Sequence, residues 1–345
     1  MFKKSFLFTA VAVTVALGAM VSCNKNADPV PAEKIVAQDG SISFGLAPDS
    51  AFFGVETKST TAATGITSFK AASTQGDPGS ETNSSPCWIN VAFTSDGELT
   101  PTYKASPAKY WPLSDPEYTF YAVSASESTA NAVATEAPDL TFAAAGTYIS
   151  MAADYDKDVV CAYLPFDDSD SNFKLKNALA FKHIFARVAG VTVTAADDCA
   201  ISNISISIVN AKTGGTYNLR TGDGQTDGSG WSSLLPASGD KSIYARAAAI
   251  ASGANDATGS VYDNTTNSLF LVPGTYSLKA SWTASVDDYS QTYTNMTSSA
   301  TINIVGGKIN SISCNLTGDA SKLEFSVSLA EWTNNSIADV EFDHS

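Results

Sequence analysis

Two histidines, His183 and His344, are the side chains best suited to general acid–base work near neutral pH, and the sequence holds no others. His344 is the penultimate residue. His183 lies in "FKHIFARV", on the strand parity of Phe181, Phe185 and Arg187, where a structural histidine is the better reading than a catalytic base. The residue count would allow a Ser-His-Asp set, but no G-x-S-x-G elbow exists to carry one. Zinc chemistry has no local signature, neither H-E-x-x-H nor a C-x-x-C pair. The run "DDSDSN" from Asp167 to Asn172 offers oxygen ligands of the kind calcium takes. It lacks the mid-loop glycine and closing glutamate of an EF-hand, with Leu179 where that glutamate would stand, and reads as a solvated acidic turn. "GDGQTDGSG" has no Lys-Ser/Thr and no following helix, so it is no phosphate cradle. The expectation is a protein without catalytic residues, metal or cofactor.

Cysteine points elsewhere. Beyond Cys23 there are Cys87, Cys161, Cys199 and Cys314, and four cysteines in an exported chain allow three complete pairings. The other reading makes each a small buried hydrophobe. Cys314 shares parity with Ile312 and Leu316 in "INSISCNL", which favours mostly free, buried thiols. Cys23 itself follows a basic n-region (Lys3, Lys4), the apolar run "SFLFTAVAVTVALGAMV" and the small residue Ser22. That arrangement resembles a bacterial lipobox: residues 1–22 would be a lipoprotein signal peptide, Cys23 the lipidated residue, and residues 23–40 a polar tether.

The full chain carries a formal charge of −15, and losing Lys3 and Lys4 with the signal takes it to −17. Such a surface repels phosphate backbones, and only Arg187, Arg220 and Arg246 are present to clamp anions, so nucleic acid is not an expected partner.

The elements that would position any function are strands. "SISFGLA", from Ser41, alternates Ile42, Phe44 and Leu46 against Ser41, Ser43 and Gly45. "WINVAFT" sets Ile89, Val91 and Phe93 against Trp88, Asn90 and Ala92. "NISISIVNAKTGGTYNL" puts Ile204, Ile206 and Ile208 on one face and signals a turn at Gly214-Gly215. "SLFLVPGTYSLKASW" reads as a hairpin around Pro273-Gly274, with Tyr276, Leu278, Ala280 and Trp282 in step. "ATINIVGGKINSISCNLT" reads as another, its Gly306-Gly307 turn suited to type I′. No window of a dozen residues has helical periodicity. Short strands at 8–12-residue spacing predict an all-β protein of two sandwich domains, residues 41–195 and 196–345.

The C-terminal segment "SKLEFSVSLAEWTNNSIADVEF" gives a strand with Leu323, Phe325, Val327 and Leu329 on one face, a polar turn, and a short strand with Ala338, Val340 and Phe342 in register. This ending resembles that of the fimbrillin family, the major fimbrial subunits of the type V pilus in Bacteroides-type bacteria. "CNKNADPV" is similar to the start of the family's mature precursors, "SISFGLAPDSAFFGV" to its first strand and cleavage loop, and "KYWPLSDPEYTFYAVSA" to an aromatic strand of its N-terminal domain. "ALAFKHIFARVAGVTV" resembles the end of that domain, and "GGKINSISCNLTG" the penultimate hairpin of the next. The resemblance implies two transthyretin-like, Greek-key β-sandwiches in tandem and a lipoprotein (palmitate on Cys23) exported to the outer membrane and cell surface. It implies removal of the first strand by a protease, and refilling of the emptied groove by a donor strand from another fimbrial subunit, in service of adhesion to a host or bacterial surface ligand. Ile42, Phe44 and Leu46 would then be the removable strand, and Ala338, Val340 and Phe342 the donor, whose side chains are smaller than those they replace. Together the three leaving side chains carry roughly 5–9 kcal/mol of apolar contact.

One departure bears on the cut. Relatives processed by an arginine-specific protease carry Arg before the "AFG"-like residues, whereas Ser50 and Ala51 precede "FFG" here. Lys58, the nearest basic residue, becomes the cleavage residue for a trypsin-like protease, and an uncut chain would act as an anchor or terminating subunit. Two rival functions remain open at this level. One is a surface lipoprotein that stacks glycans on Trp88, Trp111, Trp231 and Tyr110; the other is an outer-membrane hydrolase built around His183.

Overall fold

The computed structural model describes residues 41–47, 66–75, 85–97, 101–111, 118–126, 137–143, 146–153, 157–165, 178–262, 268–316 and 321–331. No helix occurs among them. The strands run β1 (Ser43–Leu46), β2 (Ser68–Gln75), β3 (Ser85–Ser95), β4 (Tyr103–Ala105), β5 (Tyr118–Ser126), β6 (Leu140–Ala143), β7 (Gly146–Met151) and β8 (Asp158–Leu164). There follow β9 (Ala178–Leu179), β10 (Lys182–His183), β11 (Ala186–Thr194), β12 (Ala200–Ile208), β13 (Lys212–Asn218), β14 (Trp231–Pro236) and β15 (Lys241–Arg246). The last six are β16 (Asn255–Asp256), β17 (Leu269–Leu271), β18 (Gly274–Val286), β19 (Tyr289–Ile304), β20 (Lys308–Leu316) and β21 (Leu323–Glu331).

The first sheet has the order β10-β8-β5-β2-β3-β4-β1-β9. Its two end strands, β9 and β10, are separated along the chain only by Ala180 and Phe181. Three residue steps reach at most about 11 Å, so the two ends of the sheet must meet and the sheet rolls into a barrel. Alternation along its strands turns one set of side chains inward: Ile42, Phe44, Phe69, Phe93, Tyr103, Phe120, Leu179 and Phe181 fill the interior. The opposite parity, Ala72, Tyr121, Val123, Val159 and Cys161, faces out and is covered by the sheet β14-β13-β7-β6 through Leu140, Ile149, Met151 and Tyr217.

The remaining strands form a sandwich. One sheet is β16-β11-β20-β21, with β17 also on β11; the other is β15-β12-β18-β19. Ile204, Ile206 and Ile208 face its core, as do Tyr276, Leu278, Ala280 and Trp282, on the parities their alternation predicts. Four pairings cross residue 195: β11 lies parallel to β20 and antiparallel to β16 and β17, and β13 lies antiparallel to β7. Hydrogen-bonded sheets therefore draw strands from both sides of the expected domain boundary.

Four local expectations need correction. The turn expected at Gly214-Gly215 falls at Val209-Asn210 instead, and both glycines lie inside β13. A Cβ on Gly214 would stand 2.2 Å from the Ala152 carbonyl oxygen, so the glycine serves the close approach of that strand to the neighbouring chain. Neither Pro273-Gly274 nor Gly306-Gly307 closes a hairpin. β17 pairs β11 while β18 pairs β12 and β19, and β19 and β20 lie in different sheets, so both glycine turns carry the chain from one layer of the sandwich to the other. The alternation of β3 breaks at Asn90, whose φ of 54° turns the chain over. Trp88 joins Phe93 on the barrel side and Ile89 is left exposed. The Asn90 side chain offsets the break by mimicking a peptide group: its Oδ1 accepts from Leu140 N at 2.7 Å and its Nδ2 donates to Leu140 O at 3.0 Å.

Candidate strand-acceptor site

β1 is a four-residue strand seated between two short neighbours. Its first half bonds to one flank, with Ser43 and Phe44 opposite Lys104 and Tyr103 in antiparallel register and Ile42 N donating to Lys109 O at 2.6 Å. Its second half bonds to the other, with Gly45 and Leu46 parallel to Ala178 and Leu179 and Ala47 N donating to Leu179 O at 3.0 Å. Each flank thus supplies only part of the ladder, and β1 lies between the two in the order of the sheet.

Side chains do most of the holding. Phe44 is 0% exposed, and its ring meets those of Phe69, Phe93 and Phe120 edge-on at centroid distances of 6.0, 5.0 and 5.1 Å. Each such aromatic pair adds about 0.5–1.5 kcal/mol to the burial itself. Ile42 is 1% exposed, whereas Leu46 is only half-buried at the mouth of the barrel. Tyr103, on the flank, is 0% exposed and donates its hydroxyl to Ile66 O at 2.5 Å; burial, with Asp96 adding to it, pushes its phenol up to about 12. It stays a neutral donor that fixes the wall of the slot. Ile42 and Phe44 were legible in the sequence as an inward-facing pair. The flanks, β4 and the two-residue β9, carry no comparable signal, and β9 adds only two pairs of a parallel ladder.

Cys23, Lys58 and the tail residues Ala338, Val340 and Phe342 lie outside the described residues, as does the acidic run from Asp167 to Asn172. Among the described residues no group of three or more His, Cys, Asp or Glu side chains could hold a metal ion. Cys161, Cys199 and Cys314 are free and buried, and Cys87 is free and exposed. His183 faces Asp158, with Nδ1 2.8 Å from Oδ2 and both side chains almost wholly buried. Pairing with Asp158 on the adjacent β8 gives the histidine a structural partner at the closure of the barrel. A cavity of about 250 Å³ lies beside it, lined by Tyr163, Lys182, Asp223, Gln225, Gly307 and Lys308 among others, and Lys182 Nζ is 3.1 Å from Asp223 there. The aromatic side chains suggested for glycan stacking do not form a shared platform. Trp88 and Trp111 pack against the barrel core, Trp231 packs on Phe185 and Tyr217, and only Tyr110 is largely exposed.

No curated protein matches the sequence. Among solved structures, a fimbrial protein from Bacteroides vulgatus aligns with 15% identity, covering 85% of this chain and 99% of its own, at a TM-score of 0.56. A tip fimbrial protein from Porphyromonas gingivalis aligns at 10% identity, 85% and 100% coverage and a TM-score of 0.31. A fimbrial assembly protein from Parabacteroides distasonis aligns at 8% identity, 84% and 98% coverage and a TM-score of 0.31. The first of these shares the all-β fold. A family model described as fimbrillin-like matches residues 57–332, most of the sequence, and the chain therefore belongs to the fimbrillin-like family of structural, non-enzymatic fimbrial subunits.

Proposed function

We propose that this fimbrial subunit is exported as a lipoprotein, with lipid on Cys23, and joins its fimbria by exchanging β1 for a strand of another subunit. The observation that carries this reading is the mismatch between the grip on β1 and its covalent ties. A four-residue strand supplies Ile42 and Phe44 to the centre of the barrel while its ladder to each flank spans only two residue pairs, extended by the Ser41–Tyr110 bridge and by single bonds from Ile42 and Ala47. Cleavage after Lys58 by a trypsin-like protease leaves β1 held by non-covalent contacts alone. Its departure opens two strand edges and an aromatic cavity at once. Unpaired backbone groups beside a vacant apolar slot are a template for another strand, so refilling from a neighbour is the downhill outcome. The C-terminal segment with Ala338, Val340 and Phe342 has the period such a donor needs. The subunits so linked form a cell-surface fimbria that serves adhesion. The absence of arginine before "FFG" supports a second reading, an uncut anchor that keeps its lipid and its strand.

Intact mass and N-terminal sequencing of the lipidated precursor after mild trypsin treatment separate the two. A new N-terminus at Ser59 together with SDS-resistant ladders is the result expected. A mass retaining Cys23 and its lipid, without ladders, overturns strand exchange and leaves the anchor.

A further inference from the structure

We propose that the slot vacated by β1 selects the donor register in which Phe342 of a second copy takes the place of Phe44, running in the direction of β1. This rests on the strand-exchange reading above. Val340 then falls on the Ile42 position, His344 on the Leu46 position, and Ala338 ahead of the slot altogether. The three inward positions of β1 are not equivalent. The Phe44 position lies among Phe69, Phe93 and Phe120 and is fully enclosed; the Ile42 position is 1% exposed; the Leu46 position is half-buried. Matching the two strands in their written order would instead send Val340 to the Phe44 position and Ala338 to the Ile42 position. That leaves most of a phenyl ring's volume empty at the point of tightest packing and a gap of about three carbon atoms beside it. Shifting the donor by two residues puts an aromatic ring among aromatic rings and a β-branched side chain where a β-branched one sat, and gives the imidazole the position that still reaches water.

Direction follows from the same positions. A donor running opposite to β1 with Phe342 at the centre would carry His344 into the closed Ile42 position, a polar ring without a partner. Running with β1, the donor is antiparallel to β4 and keeps the ladder that Ser43 and Phe44 make with Lys104 and Tyr103. Charge agrees with the parity. The outward donor residues are Asp339, Glu341 and Asp343, and the flank presents the exposed Lys104 and the half-buried Lys109. In the proposed register Glu341 replaces Ser43 directly opposite Lys104, a cross-strand pair of opposite sign. Ser43 is 1% exposed in the intact chain, so a carboxylate in its place needs the pairing that Lys104 offers.

Disulfide trapping reads the register. Full-length chains carrying Cys87→Ser and Lys104→Cys, with either Glu341→Cys or Asp339→Cys, are treated with mild trypsin and oxidised. Directly opposed strand residues have Cβ atoms about 4.5–5.5 Å apart, near enough to bridge after small adjustment. An intersubunit disulfide through Glu341→Cys supports the register. One through Asp339→Cys overturns it while leaving strand exchange intact, and ladders without either disulfide overturn it too, since a reversed donor would set Asp343 against Lys104 and a donor from elsewhere would set neither residue there. Absence of ladders from the unsubstituted chain overturns the exchange reading itself. A second measurement avoids cysteine chemistry. Ala338→Glu retains its ladders within about twofold if Ala338 lies ahead of the slot, and Phe342→Ala loses them at least about tenfold. Loss of ladders with Ala338→Glu overturns the register.

Discussion

In the sandwich, the central strands of each sheet are hydrogen-bonded on both sides along most of their length. β12 is nine residues long and pairs both β15 and β18; β18 is thirteen and pairs β12 and β19; β20 is nine and pairs β11 and β21. In the barrel, the equivalent structural position is occupied by β1, four residues long, with two paired residues on each flank. Yet the two regions bury their central side chains to the same degree, with Phe44 and Ile206 both 0% exposed. Packing is equally complete in the two cores, but backbone continuity is not. A core completed by so short a strand is stable as long as the strand stays; under the proposed exchange, its departure makes that core an acceptor. Among the described strands of the sandwich a single cut could release only β21, an edge strand on β20 whose side chains are half-buried or exposed, so its loss would not empty the centre of the core.

Truncating the two central side chains is the strongest way to break that comparison. Phe44→Ala should cost about 3–5 kcal/mol and Ile206→Ala about 2–5 kcal/mol, because each leaves a cavity in a close-packed core. The effects should differ in reach rather than size. Hydrogen exchange in Phe44→Ala should rise in β2, β3 and β5, whose Phe69, Phe93 and Phe120 lose their partner, while β12 and β18 stay protected. Ile206→Ala should deprotect β12, β15 and β18 together. Equal spread of exchange from both substitutions would show one cooperative core and remove the distinction.

The closure of the barrel offers the next test. His183→Ala leaves Asp158, 0% exposed, without the imidazole 2.8 Å away. Removing one member of a buried pair costs about 3–5 kcal/mol, since the remaining group has lost its compensation. Replacing both, as His183→Leu with Asp158→Leu, should recover much of that loss in urea unfolding. A hydrolase built on His183 predicts the reverse pattern, with stability preserved and an activity abolished. Should His183→Ala unfold at the wild-type urea concentration, the pair is not what fastens β10 to β8.

How much of this was readable in the chain depends on what kind of signal each feature leaves. Ile42 and Phe44 announce themselves because one face of β1 is buried and period-2 alternation records it. Ile204, Ile206 and Ile208 were legible for the same reason. Pro273-Gly274 and Gly306-Gly307 do break strands but close no hairpin, since such a turn reports backbone freedom and says nothing about which sheet receives the next strand. Gly214 shows the limit most directly: its use is the space needed beside Ala152 O, a requirement set by a strand sixty residues away. The partnership of Asp158 with His183 and the role of β9 as a flank were invisible, because both arise from sheet order and not from local pattern.

A smaller effect should come from Asn90, which ties β3 of the barrel to β6 of the covering sheet. Its side chain makes both hydrogen bonds to Leu140 that a backbone neighbour would make, and its own φ is 54°, a conformation asparagine accepts better than most residues. Asn90→Ala loses the two bonds and strains the backbone, for about 1–3 kcal/mol. Asn90→Gly loses the bonds but not the conformation and should fall less. If the two variants unfold together, conformation contributes nothing, and the side-chain bonds alone dock β6.

The smallest effect sharpens the comparison without perturbing either core. Cys161 and Cys314 belong to the packed interiors and Cys199 is buried, so a thiol reagent should reach them only on unfolding; Cys87, on the exposed part of β3, should react in the native chain. It should do so slowly at neutral pH, because the thiolate is the nucleophile and partial burial raises the Cys87 thiol above its ordinary value of 9.0 despite hydrogen bonds from Tyr118 and Ser73 that oppose the shift. The alkylation rate should therefore reach half its plateau only above pH 9.0, where an unshifted thiol would be half ionised. Once β1 is removed, Cys161 lies on the outward face of β8, under the covering sheet and away from the slot. If only the interior is vacated, Cys161 stays unreactive after cleavage and becomes reactive only when the sheet β14-β13-β7-β6 lifts off. Early labelling of Cys161 would mean that losing the strand loosens the barrel wall as a whole, and the acceptor would no longer be a preformed slot.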